Sequence, residues 1–162
     1  MTRSSIRRLI ALPVLGASAL LSACGSDSTA PNIPSNPAVE TYASSLGVTI
    51  ANMTRRSDNL YVQDLVVGTG AEAVTGRVVR VTYTGWLING SRFDTNVGGS
   101  AFSFTLGAQQ VIAGWDQGVL GMKVGGKRKL VIGSVLGYGP QGQGPISANA
   151  TLVFDVEVLG VQ

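Results

Sequence analysis

The chain has 162 residues, of which 44% are hydrophobic and 22 are glycine, a composition that predicts one turn-rich globular domain with additional segments. Its 12 basic and 9 acidic residues give a net charge of +3, but Arg3, Arg7 and Arg8 account for the excess, so nucleic-acid binding loses its electrostatic support. With no histidine and one cysteine, Cys24, the chain cannot form an imidazole-dependent triad, a His-rich zinc site or an internal disulfide.

Residues 1–23 have the pattern of a secretory leader. Arginines precede a short apolar run that a proline and a glycine interrupt, and the small residues Ser22 and Ala23 follow. The run is too short and too interrupted for a comfortable membrane span. The segment from Leu21 to Cys24 resembles the cleavage box of bacterial lipoproteins, in which the cysteine becomes the first mature residue and its thiol carries a diacylglycerol.

The lipoprotein resemblance implies that Cys24 is lipidated and holds the domain at a membrane outside the cytoplasm. A sole cysteine at the end of an export leader has no disulfide partner, which favours this interpretation. Gly25 and Ser26 lack the aspartate associated with inner-membrane retention, so the outer membrane or the periplasmic face is favoured. The alternative is an ordinary signal peptide followed by a chance cysteine.

A tether and a segment of uncertain structure follow the leader. Residues 24–37 are rich in proline, serine and asparagine, and this composition predicts a flexible linker. Residues 38–52 contain some apolar residues without a clear period, so a short helix or strand that docks on the domain is one alternative there. We expect the folded domain to span residues 53–162, with one hydrophobic core.

Alternating apolar residues predict strands along most of the domain. The predicted strands cover residues 60–67, 77–87, 91–94, 102–106, 127–135 and 151–158. Asn89-Gly90 between two of them predicts a type I′ hairpin, in which both central residues have positive φ. Since the connections are too short for parallel crossovers, the expected fold is α+β, an antiparallel sheet of about five strands half-wrapped around one short helix.

The helix is predicted over residues 111–122, VIAGWDQGVLGM. At helical spacing Val111, Trp115, Val119 and Met122 form one stripe, while Asp116 points away from it. The strand patterns direct further aromatic side chains toward this stripe. These rings would form either an ordinary aromatic core or a pocket, and for Phe104 the core is preferred.

Two other patterns are set aside. Gly121 to Lys127 has the spacing of a phosphate-binding loop, but Arg128 stands where a serine or threonine should hold magnesium, and the helix precedes the loop instead of following it. A cluster of basic residues comprises Lys123, Lys127, Arg128 and Lys129. Alternation along the predicted strand splits the cluster between the two faces, which favours a solvated edge over an anion-binding patch.

Four segments, in order along about a hundred residues, resemble the FK506-binding-protein (FKBP) type of peptidyl-prolyl cis/trans isomerase. They are VTYTGWLINGSRFDT at 81–95, FSFTLGAQQVIAGWDQGVLGMKVGGKRKLVI at 102–132, the Tyr-Gly of 137–139, and NATLVFDVEVL at 149–159. A single motif of this kind would be weak evidence, but four in register are specific.

The resemblance implies which residues form the site. Those assigned to catalysis are Tyr83, Asp94, the backbone N–H of Ile112 and the hydroxyl of Tyr138. Those assigned to substrate binding are Phe93, Phe102, Val111, Trp115 as the pocket floor, Ile146 and Phe154. We expect Asp94 and the Tyr83 hydroxyl to hydrogen-bond each other. Two departures from the family bear on the site, since the loop 95–101 lacks the arginine that many relatives place against the aspartate, and Ser147-Ala148 replaces a proline pair.

The resemblance implies an isomerase of Xaa-Pro bonds in exported proteins that needs no cofactor and no metal and acts as a monomer. The expected partners are proline-containing segments, macrolides of the FK506 class and a membrane through the lipid anchor, but not nucleic acid. A non-catalytic module that binds proline peptides as a chaperone or assembly factor is the alternative.

Overall fold

The computed structural model describes residues 33–162, which contain a seven-stranded antiparallel sheet and one short α-helix. The predicted leader, Cys24 and most of the predicted tether lie outside the described residues. Within 33–162 no helix has the length and apolar character needed to span a membrane.

The strands run from one edge of the sheet to the other in the order β1-β2-β6-β7-β3-β4, and β5 pairs with β3 beside β4. Their bounds are β1 Thr54–Ser57, β2 Leu60–Val66, β3 Val78–Leu87, β4 Arg92–Thr95, β5 Phe102–Thr105, β6 Lys127–Ile132 and β7 Leu152–Val161. The α+β class and the antiparallel arrangement are confirmed. The prediction of about five strands missed β1, whose sequence TRRS has no apolar alternation and is held by its hairpin with β2.

The hairpin between β3 and β4 differs from the predicted type. Gly90 has φ +88°, but Asn89 does not have a positive φ, so the turn is not type I′. Instead, the Gly90 N–H donates to Leu87 O at 2.9 Å and the Leu87 N–H donates to Ser91 O at 2.9 Å. This is the longer hairpin loop in which a glycine bulge follows an ordinary turn.

Helix α1 spans Ala113–Val119 and is shorter than predicted, because Ile112 is extended (ψ 147°) and Leu120 leaves helical geometry. Trp115 and Val119 are buried as expected, Met122 is buried beyond the helix end, and Val111 is half-buried before its start. Gly114 and Gly118 let the helix approach β6 closely. A Cβ at Gly114 would lie 2.5 Å from Ile132, and one at Gly118 would lie 2.8 Å from Leu130.

The prediction of one hydrophobic core is wrong, since both faces of the sheet are covered. The larger core lies between the helix and one face and includes Trp115, Val119, Leu130 and Phe154. The second core lies on the opposite face and consists of Leu46, Met53, Tyr61, Val131 and Val153. Consecutive buried residues in β6 and β7 are the reason, because successive side chains point to opposite faces.

Residues 33–53, here called the strap, cover the second face. Two 3₁₀ turns, Ser44–Leu46 and Ile50–Asn52, replace the helix or strand considered for this segment. The strap is tied down by reciprocal hydrogen bonds: the Ser134 N–H donates to Ser35 Oγ at 2.8 Å, and the Ser35 N–H donates to Ser134 Oγ at 3.1 Å. Since Ser134 begins the segment that leads to Tyr138, the strap and the late loop are joined.

The Ser35→Ala variant is expected to lose about 1–2 kcal/mol of unfolding free energy, because the buried Ser134 N–H is left without its acceptor. Urea unfolding followed by tryptophan fluorescence measures this loss. Ser44→Ala is the control, since Ser44 is exposed and its side chain makes no hydrogen bond within residues 33–162. Equal stabilities of the two variants would contradict a structural role for the strap.

The interpretation of the basic cluster as a solvated edge is wrong for two of its residues. β6 lies inside the sheet between β2 and β7, and Arg128 and Lys129 are only 5% and 6% exposed. Arg128 Nε lies 2.6 Å from Asp64 Oδ1, and Lys129 Nζ lies 2.6 Å from Asp155 Oδ1. Each basic residue lies directly opposite its acidic partner on a neighbouring strand. The carboxylate compensates the buried positive charge, so both basic side chains can be buried.

Candidate active site

A hollow of about 180 Å³ opens between the start of α1 and strands β3, β4 and β7. It is lined by Tyr83, Phe93, Asp94, Phe102, Gln110, Val111, Ile112, Trp115, Tyr138 and Phe154. Nine of the ten residues assigned to the site by the resemblance are therefore brought together, and the aromatic side chains surround an open space rather than filling it.

Trp115 forms the floor of the hollow. The side chain is 4% exposed, and the ring meets Tyr83 at 4.9 Å and Phe154 at 5.4 Å between centroids, each edge to face at 86°. Edge-to-face contacts of this kind fix ring orientations. The indole N–H is buried and has no hydrogen-bond partner among residues 33–162. The floor is thus a buried ring in close contact with its aromatic neighbours.

Phe93 and Phe154 form one wall, with centroids 5.5 Å apart and rings perpendicular. They pack directly over Gly85 of β3, where a Cβ would lie 2.7 Å from each ring. Real Cβ atoms do not approach aromatic carbons so closely, so a glycine is needed for the wall to have this shape.

The Gly85→Ala variant is expected to push both rings out of position, with a loss of about 1–3 kcal/mol of unfolding free energy through overpacking. Peptide turnover should fall as well, because the same two rings line the hollow. Urea unfolding and a prolyl isomerase assay measure the two effects. Gly99→Ala is the control, since a Cβ there would meet nothing closer than 3.4 Å. Unchanged turnover in Gly85→Ala would show that the wall is not needed.

The polar edge of the hollow is centred on Asp94. As expected, the Tyr83 hydroxyl donates to Asp94 Oδ2, at 2.6 Å. Burial, followed by this hydrogen bond and the negative charge of Asp94, raises the pKa of Tyr83. Burial and then the charge of Asp94 likewise raise the pKa of Tyr138. No lysine or arginine in the described chain pairs with Asp94, in keeping with the arginine missing from the loop 95–101.

Two residues that line the hollow carry hydrogen-bond donors without acceptors in the described part of the chain. The Tyr138 hydroxyl makes no hydrogen bond there, and the Ile112 N–H precedes the helix and donates to no backbone carbonyl. Both are available to the carbonyl oxygens of a bound peptide.

Loop 96–101 is organised by an asparagine that the sequence did not single out. Asn96 Oδ1 accepts the Tyr83 N–H at 2.7 Å, and its amide donates to Val81 O and Ser100 O, each at 3.1 Å. The loop thereby crosses from β4 to β5 and sets Phe102 at the rim, where it is 39% exposed. Phe104, two residues on, is buried and does not line the hollow, as the core interpretation predicted.

Gln110 lines the hollow although no sequence pattern indicated it. Its Oε1 accepts the Thr105 N–H at 2.8 Å. The loop that precedes it is held by Asp116, whose two carboxylate oxygens accept the N–H groups of Gly107 and Gln109 at 2.8 and 3.1 Å. Asp116 points away from the buried stripe, as predicted, and its carboxylate holds the loop before Gln110 in position.

Ile146 is the assigned binding residue that does not line the hollow. It is 7% exposed and packs into the larger core. It also contributes to an adjoining depression of about 240 Å³, which shares Phe93, Asp94 and Tyr138 with the hollow. Its assignment to substrate binding stays a prediction, since the late loop carries it past Tyr138 and into this adjoining depression.

The stability of the protein is expected to fall as pH rises above about 10, where tyrosines of the unfolded chain ionise. The pKa values of Tyr42, Tyr83 and Tyr138 are raised in the folded chain, chiefly by burial. Their protonated forms therefore stabilise the fold fully below pH 10, and this stability is lost as pH rises toward the raised pKa values. Urea midpoints between about pH 8 and 11 measure the fall. Tyr42→Phe should make it shallower, and an unchanged slope would contradict the assignment.

Comparison with known proteins places the chain in one family. A sequence model of the family described as "FKBP-type peptidyl-prolyl cis-trans isomerase" matches residues 70–159, more than half of the chain. An FK506-binding protein of Neisseria meningitidis serogroup A is 51% identical over 105 residues, which cover 64% of this chain and 96% of that protein. FK506-binding protein 4 of Rhizopus delemar is 48% identical over 111 residues, which are 68% of this chain but only 29% of the Rhizopus protein.

Solved structures agree with the sequence relatives. FkpA from Escherichia coli superposes with a TM-score of 0.63 at 41% identity, over 68% of this chain and 52% of that one. A peptidyl-prolyl cis-trans isomerase from Pseudomonas syringae gives a TM-score of 0.62 at 32% identity, over 68% and 81% of the two chains. With the family match, these likenesses show that the chain belongs to the FKBP-type peptidyl-prolyl cis-trans isomerases, the enzyme family that its motifs predict.

Proposed function

We propose that the hollow receives the proline ring of an Xaa-Pro segment and accelerates rotation about the preceding amide bond by excluding water. The observation that carries the proposal is the open aromatic hollow over the almost fully buried Trp115. A pyrrolidine ring is apolar and compact, and it fits a space walled by indole and phenyl rings.

The chemistry requires no nucleophile and no general base. The planar amide is stabilised by resonance, and the uncatalysed barrier to rotation is about 20 kcal/mol. In the twisted transition state the carbonyl is more ketone-like and the nitrogen more amine-like. The twisted amide therefore loses less hydration free energy on leaving water than the planar amide does. A water-poor site therefore binds the twisted state more strongly than the ground state, which is what acceleration demands.

Hydrogen bonds then orient the peptide. The Ile112 N–H and the Tyr138 hydroxyl have no acceptors among the described residues, and in this proposal they donate to carbonyl oxygens that flank the proline. The Tyr83 hydroxyl is already engaged by Asp94, so this pair fixes the polar edge of the hollow. Desolvation by the aromatic walls supplies the larger part of the effect, and the polar groups supply the alignment.

A protease-coupled assay on proline tetrapeptides tests the proposal. The protein should accelerate cis-to-trans conversion well above the uncatalysed rate. Between about pH 6 and pH 9 the rate should be nearly flat, because the chain has no histidine and the pKa values of the lining tyrosines are raised. Measurable peptide binding with rates at background would favour the alternative, a non-catalytic proline-binding module.

Macrolide binding is proposed from the same site. The Neisseria and Rhizopus relatives are named FK506-binding proteins, and the apolar lining of the hollow suits a ligand of that class. FK506 should compete with the peptide in the same assay. Full activity at saturating FK506 would contradict the proposal.

The site of action is proposed to be outside the cytoplasm, with Cys24 lipidated and the domain tethered to a membrane. Support comes from the leader pattern of residues 1–23, the Leu21 to Cys24 box and the absence of a second cysteine. The clients would then be exported polypeptides. Cys24→Ala should move the protein from the membrane fraction to the soluble fraction, and wild-type fractionation of that variant would contradict lipidation.

A further inference from the structure

The hollow does not end at its polar edge. Phe93, Asp94 and Tyr138 line it and also line the adjoining depression, which extends toward Pro145 and Ile146 of the late loop. A peptide with its proline in the hollow can therefore place the side chain of a neighbouring residue in the depression, and that side chain passes directly beside Asp94.

Asp94 gives this path a negative charge. Asp94 is the sole charged residue among those of the described chain that line either space. Its Oδ2 accepts the Tyr83 hydroxyl, and no lysine or arginine within 33–162 forms an ion pair with it. The carboxylate therefore keeps an unneutralised charge and a free oxygen at the boundary between the two spaces.

The remaining lining of the depression is apolar or neutral. Phe93, Pro145 and Ile146 provide hydrocarbon surface, and Gln143 provides an amide. Hydrocarbon surface beside a lone carboxylate matches a long aliphatic stem that ends in a cation, as in lysine or arginine. A glutamate in the same position would meet Asp94 with like charge.

We propose that the site selects prolines that have a basic residue next to them in the sequence, with Asp94 as the specificity-determining residue. This proposal rests on the proposed isomerase function, because it assigns the neighbouring residue of the same bound peptide. Since Asp94 is exposed to solvent, the preference should be modest, about two- to fivefold in kcat/KM for a lysine over an uncharged chain of equal length.

Two peptide series test the preference, one varied immediately before proline and the other immediately after it. Each contains lysine, its uncharged analogue norleucine, and glutamate, and rates are read by exchange NMR without a protease. Lysine should exceed norleucine, and norleucine should exceed glutamate, in one series at least. The advantage of lysine should shrink between about 0.01 M and about 0.3 M salt, as screening requires.

Asp94→Asn should abolish the ratio of lysine to norleucine, whatever it does to the absolute rate, since asparagine keeps an acceptor for Tyr83 but loses the charge. Asp58→Asn is the matched control, because Asp58 lies in the β1–β2 turn at the other edge of the sheet and should leave the ratio unchanged. Equal rates for lysine and norleucine in both series of the wild type would overturn the proposal while leaving isomerase activity intact. If no peptide is turned over, the proposed function fails, and NMR affinities of the same peptides decide the preference: tighter lysine binding supports it, and equal binding overturns it.

Discussion

Replacing Trp115 with leucine is expected to lower kcat/KM for a proline peptide by about tenfold to hundredfold. Leucine keeps the position apolar but removes the flat floor on which the proline ring packs. The lost contact should reduce stabilisation of the transition state by about 1.5–3 kcal/mol, the free energy of burying one apolar side chain. Trp115→Ala should in addition lose about 3–5 kcal/mol of unfolding free energy, because the indole is 4% exposed and packs against four other rings.

Phe104→Leu is the matched control for this loss of activity. Phe104 is 2% exposed and its ring lies 5.8 Å from that of Trp115, but it does not line the hollow. The variant should be destabilised and still turn over peptide at nearly the wild-type rate. A similar fall in kcat/KM for both variants would mean that core integrity, and not the pocket floor, controls activity.

The Asp155→Ala variant is expected to lose about 3–5 kcal/mol of unfolding free energy, because it leaves the ammonium group of Lys129 buried without a partner. The two side chains are 8% and 19% exposed, and they face each other across the ladder between β6 and β7 with 2.6 Å between Nζ and Oδ1. Lys129 Nζ also lies 5.8 Å from the centre of the Trp86 ring. Urea unfolding at neutral pH measures the loss.

The exposed pair Arg55–Asp58 provides the control, since both of its side chains are largely in water. Asp58→Ala should change stability by no more than about 1 kcal/mol. The double variant Lys129→Met with Asp155→Leu should recover most of the stability lost in Asp155→Ala, because no uncompensated charge is then buried. An Asp155→Ala variant as stable as Asp58→Ala would contradict the assignment of a buried pair.

The strands and helix could be predicted because their signals are local. Alternation in β3 placed Val79, Val81 and Tyr83 on one face, and the structure buries the two valines completely. The helical stripe likewise predicted the burial of Trp115 and Val119. Strand ends shifted by up to three residues, since hydrogen bonding in the ladder and not hydrophobicity decides where a strand stops.

Features that depend on distant partners could not be predicted in the same way. The apolar run in β6 indicated burial, but the second core requires the strap, whose Leu46 has no period of its own. The sequence indicated that Arg128 and Lys129 lie at the surface. Their burial could not be predicted, because their carboxylate partners lie 64 and 26 positions away in the sequence. The Asn89-Gly90 turn took its form from the bulged register of β3 and β4.

The same distinction between local signals and distant partners applies to the candidate site. The aromatic walls follow from strand and helix phase together with the family motifs, and the structure gathers them around one hollow. Gln110, Asn96 and the anchoring role of Asp116 were missed, because a polar side chain in a loop carries no periodic signal. The position of Ile146 beside the hollow could not be predicted, because the path of the glycine-rich late loop cannot be derived from spacing.

The most direct test is two-dimensional exchange NMR on an isotope-labelled Leu-Pro peptide with a catalytic amount of the protein. Cis/trans exchange cross-peaks should appear on a subsecond timescale, where the free peptide shows none, together with nuclear Overhauser contacts between the proline ring and the Trp115 indole. Contacts at Trp115 without faster exchange, or faster exchange with the proline ring away from Trp115, would contradict the assignment of the aromatic hollow as the catalytic centre.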